Sequence, residues 1–503
     1  MKNLSIEFVP KIEPDSLEIL SLIYTPGVGH ACMKIKENDG LSYMYTNREN
    51  SVAVLSFEYQ KSLERAIFLK STLNIDAYPF EIEVGNDCTE DIIKLIVENI
   101  YPNFCGIDLT LIEKQVSDIN FNINIPVLKK NGPDIKDYFK PFSKNIFMFS
   151  MDKLEGNFEE KALSLREKAG GVIETRLSTE PYKHKPVAIL SDGSAVLGFG
   201  NIGAEAGLPV MEGKAVLFKS LGGVDAIALC VKTQETEEII KIAQCLKNSF
   251  SGINLEDISA PRCFEIEEKL INSLDIPVCH DDQHGTAIVV LAALLNSLTL
   301  AKKSIADIKI IISGAGAAAQ AVSKLIMAAG AINIIHSDKN GAVYKTRPEN
   351  NENLEALANI TNKSNLKGSL EDIIEQADVF IGLSAANVLR PSFVKKMAEN
   401  PIIFALANPT PEIMPDIAKD AGAFIIATGR SDYNNQINNS LAFPGLFRGL
   451  LDNGINKVTE DIKIECAIAI ASLVKDDELT TENILPNALS PKVVEVIAQR
   501  LSY

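Results

Sequence analysis

The sequence has no uninterrupted apolar run long enough to cross a bilayer. Its longest, residues 287–300, is broken by Asn296, Ser297 and Thr299 and reads as a buried helix. The opening MKNLSIEFVPKIEP lacks the apolar centre of a signal peptide and carries Glu7 and Glu13, so no secretion signal is expected. There is no positive excess either: 49 Lys and Arg face 66 Asp and Glu, a formal charge of −17. That balance argues against nucleic acid or anionic membrane as a partner. It says little about small substrates, which feel only the local site. Eight cysteines show no metal-type pairing and sit in apolar contexts such as Ala228-Leu229-Cys230-Val231. They read as reduced thiols, and the expected location is cytoplasmic.

The 503 residues that are present suffice for two or three domains with large cores. A content of 46% hydrophobic and 23% charged residues is that of a soluble globular protein. The most informative stretch is 187–220, VAILSDGSAVLGFGNIGAEAGLPVMEGKAVLFKS. Val187-Ala188-Ile189-Leu190 is short and apolar, as a buried strand is. A loop follows with Gly198, Gly200, Gly203 and Gly207, where backbone can approach a ligand because no Cβ intervenes. Gly213-Lys214 then leads into a second apolar run, 215–218, read as another strand. A lysine at the mouth of a strand beside a glycine loop is a candidate base or anion binder. A surface lysine beside a flexible loop fits the spacing equally well. Upstream, Tyr24-Thr25-Pro26-Gly27-Val28-Gly29 is a turn. Its tyrosine hydroxyl has a proton to give, although a tyrosine packed at a loop edge is the plainer reading.

Two acidic pairs lie downstream, Glu256-Asp257 and Asp281-Asp282, each predicted on a loop at the end of an element. Carboxylates gathered at one cleft suit a hard divalent cation, Mg2+ or Mn2+. Solvated acids at element ends are the alternative in so acidic a chain. His280 and His284 have the spacing of a zinc-binding helix, but the helix is predicted to begin only at Gly285-Thr286. That leaves them as core or supporting histidines.

From residue 305 the pattern is that of a dinucleotide-binding fold. Residues 308–312 form a strand, Ser313-Gly314-Ala315-Gly316-Ala317-Ala318-Ala319 a G-x-G-x-x-A turn, 321–329 a helix of small residues, and 332–338 a second strand ending in Asp338. The turn follows a strand, opens a helix and has its acid in place. Gly314, Ala315, Gly316, Ala317 and Ala318 are therefore assigned to the pyrophosphate and Asp338 to the ribose. Asp338 favours NAD, while Lys339, Lys345 and Arg347 lie close enough in sequence to receive a 2′-phosphate, so NADP stays open. Further strands at 379–383, 402–409 and 423–428 put Asn408 and Thr428 where open parallel sheets bind ligands. Asn438 and Asn439 lie in the loop after the last strand, as amides for a carboxylate or carboxamide, or as turn asparagines.

Residues 52–127 repeat the central stretch in outline. VAVLS (52–56) echoes VAILS (187–191), RAIFLKSTLNIDA (65–77) aligns without a gap to KAVLFKSLGGVDA (214–226), and TEDIIK (89–94) answers TEEIIK (236–241). Phe104-Cys105-Gly106-Ile107 answers Phe250-Ser251-Gly252-Ile253, and Asn124-Ile125-Pro126-Val127 answers Asp275-Ile276-Pro277-Val278. Matches kept in order read as an internal duplication of one αβ unit. The upstream copy lacks the chemistry. Its glycine loop is cut to 57–64, and Lys214 is answered by Arg65, which stays protonated. Glu256 and Asp257 are answered by Thr110 and Leu111, and the Asp281-Asp282 pair only by the lysines of LKKNG (128–132).

Taken together the motifs resemble the malic enzymes, particularly the short bacterial form. They are LSLIYTPGVGHAC (20–32), SDGSAVLGFGNIGAEAGLPVMEGKAVLFKSLGGVDA (191–226), GINLEDI (252–258), CHDDQHGTAIVVLAALLNSL (279–298), SGAGAAAQA (313–321) and ATGRSDYNNQINNSLAFPG (427–445). The likeness leaves out roughly 52–170. It implies an α/β protein: an N-terminal αβ malic-enzyme domain, here with a degenerate repeat, followed by a Rossmann-type doubly wound parallel sheet. The expected divisions are an arm at 1–50, the degenerate repeat at 51–135, a connector at 136–185, a catalytic αβ domain at 186–285, the NAD(P)-binding domain at 286–442 and a helical segment at 443–503.

The resemblance also implies roles. Tyr24 would be the general acid and Lys214 the base, with Asp281 near it; Glu256, Asp257 and Asp282 would hold Mg2+ or Mn2+. Asn408 and Asn438, with Asn439 beside them, would contact malate and the nicotinamide region. The implied reaction is oxidative decarboxylation of malate to pyruvate, with NAD or NADP, in a homodimer or higher homo-oligomer. A buried lysine near positive charge can serve as base close to neutrality. Long forms place an arginine in the glycine loop where this chain has Ala195, which leaves the carboxylate clamp unassigned. If the two copies pack as a pseudo-twofold pair, Tyr24 reaches Lys214 within one chain. A malolactic-type or oxaloacetate-decarboxylating enzyme, or a non-catalytic regulatory relative, would share these motifs. No acetyltransferase-like extension is expected after Tyr503.

Overall fold

The structure, a computed structural model, describes residues 5–24, 26–84, 89–116, 119–123, 125, 127–128, 157–179, 183–196, 198–430 and 432–502. Thr25, Lys129, Lys130 and the expected connector up to residue 156 lie outside the described residues. The chain divides into two units, Met1–Cys279 with Gly454–Lys457, and His280–Asn453 with Val458–Tyr503.

In the first unit, strand β1 (Ser5–Pro10) leads through α1 (Leu17–Ile23) and α2 (Val28–Glu37) into a sheet of β2 (Ser51–Ser56), β3 (Asp76–Glu81), β4 (Gly106–Asp108) and β5 (Val127–Leu128). Helix α3 (Tyr59–Leu73) joins β2 to β3, and α4 (Thr89–Ile100) joins β3 to β4. After α5 (Phe158–Ala169), β6 (Ile173–Ser178) returns antiparallel to β1. The second sheet holds β7 (Val187–Ser191), β8 (Ala226–Cys230), β9 (Gly252–Leu255) and β10 (Val278–His280). Its connections are α6 (Gly203–Gly222), α7 (Thr236–Leu246) and α8 (Arg262–Ser273). Every residue of β2 and of β7 is buried, as in parallel sheets covered on both faces.

The two sheets have the same strand order, β3-β2-β4-β5 and β8-β7-β9-β10. They also have the same register. Val52 pairs with Ala77 and Gly106, and Val187 pairs with Ala226 and Gly252, the residues that the sequence echo aligns. Their contacts are reciprocal. The Asn103 side chain bonds both the N–H and the carbonyl of Cys230, each at 2.8 Å. The Ser249 hydroxyl does the same to Glu81, at 2.7 and 3.2 Å. Two residues further on, Glu83 N–H donates to the Cys245 carbonyl at 2.7 Å and Lys232 N–H to the Asn99 carbonyl at 3.1 Å.

One expectation fails here. Residues 215–218 are not a strand: they and Lys214 lie inside α6, whose residues 206–218 are all buried. Gly207, Pro209 and Gly213 are poor helix formers. The helix persists because its apolar residues are covered all round.

The second unit is built on a six-stranded sheet, entered through α9 (Asp281–Ala301). Its elements are β11 (Lys309–Ser313), α10 (Ala317–Ala328), β12 (Asn333–Asp338), β13 (Gly341–Ala342), β14 (Val379–Gly382), β15 (Ile402–Ala405) and β16 (Ile425–Thr428). Helices α11 (Phe443–Asp452), α12 (Glu460–Ala471) and α13 (Pro491–Arg500) follow. The order is β13-β12-β11-β14-β15-β16, parallel from β12 to β16 with β13 antiparallel at the edge. Strand order reverses at β11, which places a switch point at its carboxyl end. Helix α9 is long and apolar enough to cross a membrane, but 72% of its apolar window is buried. It begins at Asp281, not at Gly285 as its sequence suggests, with His280 as N-cap and both aspartates in the first turn. Acids there oppose the positive end of the helix dipole.

Candidate active site

Lys214 is fully buried on α6, and its ammonium pairs with the Glu256 carboxylate. Glu256 follows β9 and is fixed twice more: its N–H donates to the Leu190 carbonyl at 3.0 Å, and Asn254 Nδ2 donates to its carboxylate at 3.0 Å. Asp257 sits at φ 52°, a left-handed conformation that aspartate tolerates better than most residues. Its carbonyl accepts the Ala195 N–H at 2.9 Å, tying the acidic pair to the glycine-rich turn. One carboxylate oxygen of each acid lies within 4.8 Å of the other, and both residues are buried. Two buried oxygen donors so close together fit a hard cation.

The turn itself is held by side chains that sequence reasoning passed over. Arg262 on α8 bonds Asp192 at 2.7 Å and the Ser194 hydroxyl at 2.9 Å. Ser194 accepts the Ser259 N–H at 2.9 Å. Gly193, at φ 67°, has the Gly203 carbonyl oxygen 2.1 Å from where a Cβ would stand, so only glycine closes this turn.

Tyr24 caps α1 and is buried. A Cβ on Gly213 would lie 2.7 Å from the Ile23 carbonyl oxygen and 3.1 Å from Cδ2 of the Tyr24 ring. The candidate acid therefore packs on α6 at the residue before the candidate base, within one unit of one chain. Arg166, from α5, reaches the same place. Its Nη2 donates to the carbonyls of Ile23 at 2.6 Å and Pro209 at 2.9 Å, and its Nη1 to that of Tyr45 at 3.3 Å. Glu212 stands 3.6 Å from Nη1 and accepts the Asn47 N–H at 2.6 Å. Burial pushes the Glu212 carboxyl up to about 7, against the opposing pull of Arg166.

In the second unit Asp281 is buried and accepts a hydrogen bond from Asn439 Nδ2 at 2.5 Å. The Asp281 carboxylate folds over Gly285, where a Cβ would come within 1.9 Å of it. Asp282, about a third exposed, lies 3.8 Å from the His280 ring. Asn438 caps the next turn by accepting the Ser440 N–H at 2.9 Å, and Asn408 is exposed after β15. Gly314, at φ 126°, would drive a Cβ to 2.4 Å from the Leu383 carbonyl oxygen. Gly316 is the N-cap of α10 and is exposed, with Ala315, Ala317 and Ala318 half-buried around it. N–H groups at a helix N-terminus such as this one suit an anion. Beneath them His336 bonds the Gly314 carbonyl at 2.8 Å through Nδ1, and burial pushes its pKa down to about 4.

Asp338 ends β12. Burial alone would raise its carboxyl, but the Arg347 fork, at 2.9 and 2.5 Å, outweighs this and holds it below the usual range. Arg347 also donates to the Gly341 and Ala342 carbonyls, so it is committed within the protein, whereas Lys339 and Lys345 are exposed.

Residues 283–499 match the family model described as malic enzyme, NAD binding domain, and residues 150–238 match malic enzyme, N-terminal domain. The chain is 54% identical over 317 residues to an NAD-dependent malic enzyme of Geobacillus stearothermophilus, covering 63% of this chain and 66% of that one, just under two thirds. It is 50% identical over 321 residues to a bifunctional malic/malolactic enzyme of Bacillus subtilis, covering 64% and 78% respectively. The crystal structure of an NAD-dependent malic enzyme from Thermotoga maritima superposes with a TM-score of 0.61 at 47% identity, over 63% of this chain and 84% of that one.

Proposed function

The chain belongs to the malic enzyme family, and from that premise we propose that it oxidatively decarboxylates malate to pyruvate and CO2. The observation that carries the reading is the single turn of α6 on which buried Lys214, paired with Glu256, follows the residue that packs on the Tyr24 ring. Lys214, as the neutral amine, would take the C2 hydroxyl proton, and a nicotinamide cofactor, when bound, would supply the acceptor for the hydride from C2. The C3–C4 bond then breaks, CO2 departs, and its electron pair remains as the enolate. Tyr24 gives its hydroxyl proton to C3, yielding pyruvate. A divalent cation, when bound, withdraws charge from the developing enolate. Glu256 and Asp257 of the first unit and Asp282 of the second are its proposed ligands. Asn439 orients Asp281 through their hydrogen bond. Asn408 and Asn438 are proposed to meet substrate and nicotinamide.

Gly314 to Ala318 are proposed to take the pyrophosphate and Asp338 the ribose. The carboxylate held by Arg347 favours NAD over a 2′-phosphate, which it would repel. The upstream sheet is read as a degenerate duplicate: Arg65, which answers Lys214, bonds Asp108 at 2.8 Å, whereas Lys214 pairs with Glu256, a residue answered upstream by Thr110. The seven described cysteines are free thiols, in keeping with a reducing cytoplasm. A homodimer or higher homo-oligomer is the proposed assembly.

Malate-dependent reduction of NAD and of NADP, with Mn2+ and with pyruvate identified, tests the reading. Lactate in place of pyruvate would replace it with a malolactic reaction. Asp257→Ala and Asp282→Ala are each expected to raise the Mn2+ requirement on the order of tenfold or more, followed by titrating activity with the metal. Activity that survives a chelator would remove the cation from the scheme.

A further inference from the structure

We propose that Arg166 is a positioning residue, whose guanidinium pins the turn carrying Tyr24 against the helix carrying Lys214. The proposal rests on the reading of Tyr24 as acid and Lys214 as base. Arg166 is fully buried, yet three of its hydrogen bonds go to backbone carbonyls of segments distant in sequence. Ile23, bonded at 2.6 Å, is the residue before Tyr24; Tyr45 lies beyond α2; Pro209, bonded at 2.9 Å by the same Nη2, lies on α6 one turn and a residue before Lys214.

The Ile23 carbonyl also stands where a side chain at Gly213 would be, so glycine on α6 and arginine on α5 meet at one oxygen. A planar fork can hold two carbonyls at fixed angles, which a lysine ammonium cannot. Glu212 lies close by on α6, with its carboxylate 3.6 Å from Nη1. Arg166 touches neither Tyr24 nor Lys214 by any of these bonds. It acts through the backbone, by setting where the phenol stands.

Position matters for only half of the chemistry, and this separates positioning from mere folding. Protonation at C3 uses Tyr24; formation of reduced nucleotide uses Lys214 and comes first. In reverse, the Tyr24 phenolate takes a proton from C3 of pyruvate, so pyruvate in D2O with Mg2+ and enzyme gains deuterium at C3, read by NMR. Arg166→Met is expected to slow this exchange about 100-fold, the scale of an ångström-sized misplacement. The single-turnover rate of reduced-nucleotide formation from malate is expected to stay within about threefold of wild type. Arg166→Lys keeps the charge opposite Glu212 and loses the fork. It is expected to fold, with a lowered melting temperature from the carbonyls left without a donor, and to slow exchange about tenfold. Unchanged exchange in folded Arg166→Lys and Arg166→Met overturns the proposal. So does an equal fall of both rates in Arg166→Lys, which would mark a structural residue. Wild-type protein that neither oxidises malate nor exchanges pyruvate would instead overturn the functional reading.

Discussion

Lys214 is fully buried, and its ammonium pairs with the Glu256 carboxylate. Lys214→Ala should lower malate oxidation about 1,000-fold, the scale of a lost general base, while NAD(H) binding, followed by fluorescence titration, stays near wild type. Retention of most of the rate would remove Lys214 as base. His336 answers to pH. An unfolded histidine takes its proton near 6.5 and the buried one only near 4. Between those values the unfolded chain binds more protons, so stability falls as pH falls. The full window corresponds to about 3 kcal/mol. His336→Asn should flatten that part of the dependence. Melting curves of variant and wild type across this range would check it, and parallel curves would count against a neutral buried histidine.

Helix α6 shows how an element can be hidden by residues it needs. Gly213 is required because the Ile23 carbonyl occupies the space of a side chain, and its helix-breaking character made the run after Lys214 look like a strand. Gly213→Ala should cost about 1–3 kcal/mol through overpacking and lower kcat about tenfold or more by pushing the Tyr24 turn outward. Thermal melts and steady-state rates would show both, and wild-type kcat in a folded variant would contradict the packing. The start of α9 was missed for a like reason: Gly285 suggests a boundary, but it is there to admit the folded Asp281 carboxylate. The nucleotide-binding sheet was legible because strand, glycine turn, helix and acid agree locally. Arg166 was not legible. Its hydrogen bonds go to main-chain carbonyls 43, 121 and 143 residues away, which leave no local pattern to read.

At the scale of the molecule, Tyr24 and Lys214 belong to one unit of one chain, which bears on any assembly that chain forms. Mixing inactive Tyr24→Phe with inactive Lys214→Ala protein, with subunit exchange verified, should restore no activity. Substantial recovery would mean that the tyrosine comes from another copy. The reciprocal bonds between the two sheets carry a further consequence. In a symmetric homodimer a mutation at a twofold contact appears on both sides at once, so only changes tolerated twice can survive. Here the two sides are separate codons. Asn103 grips the Cys230 backbone with an amide, whereas Ser249 grips that of Glu81 with a hydroxyl. Each side is free to change alone, so this contact, unlike a twofold one, need not match itself to fit.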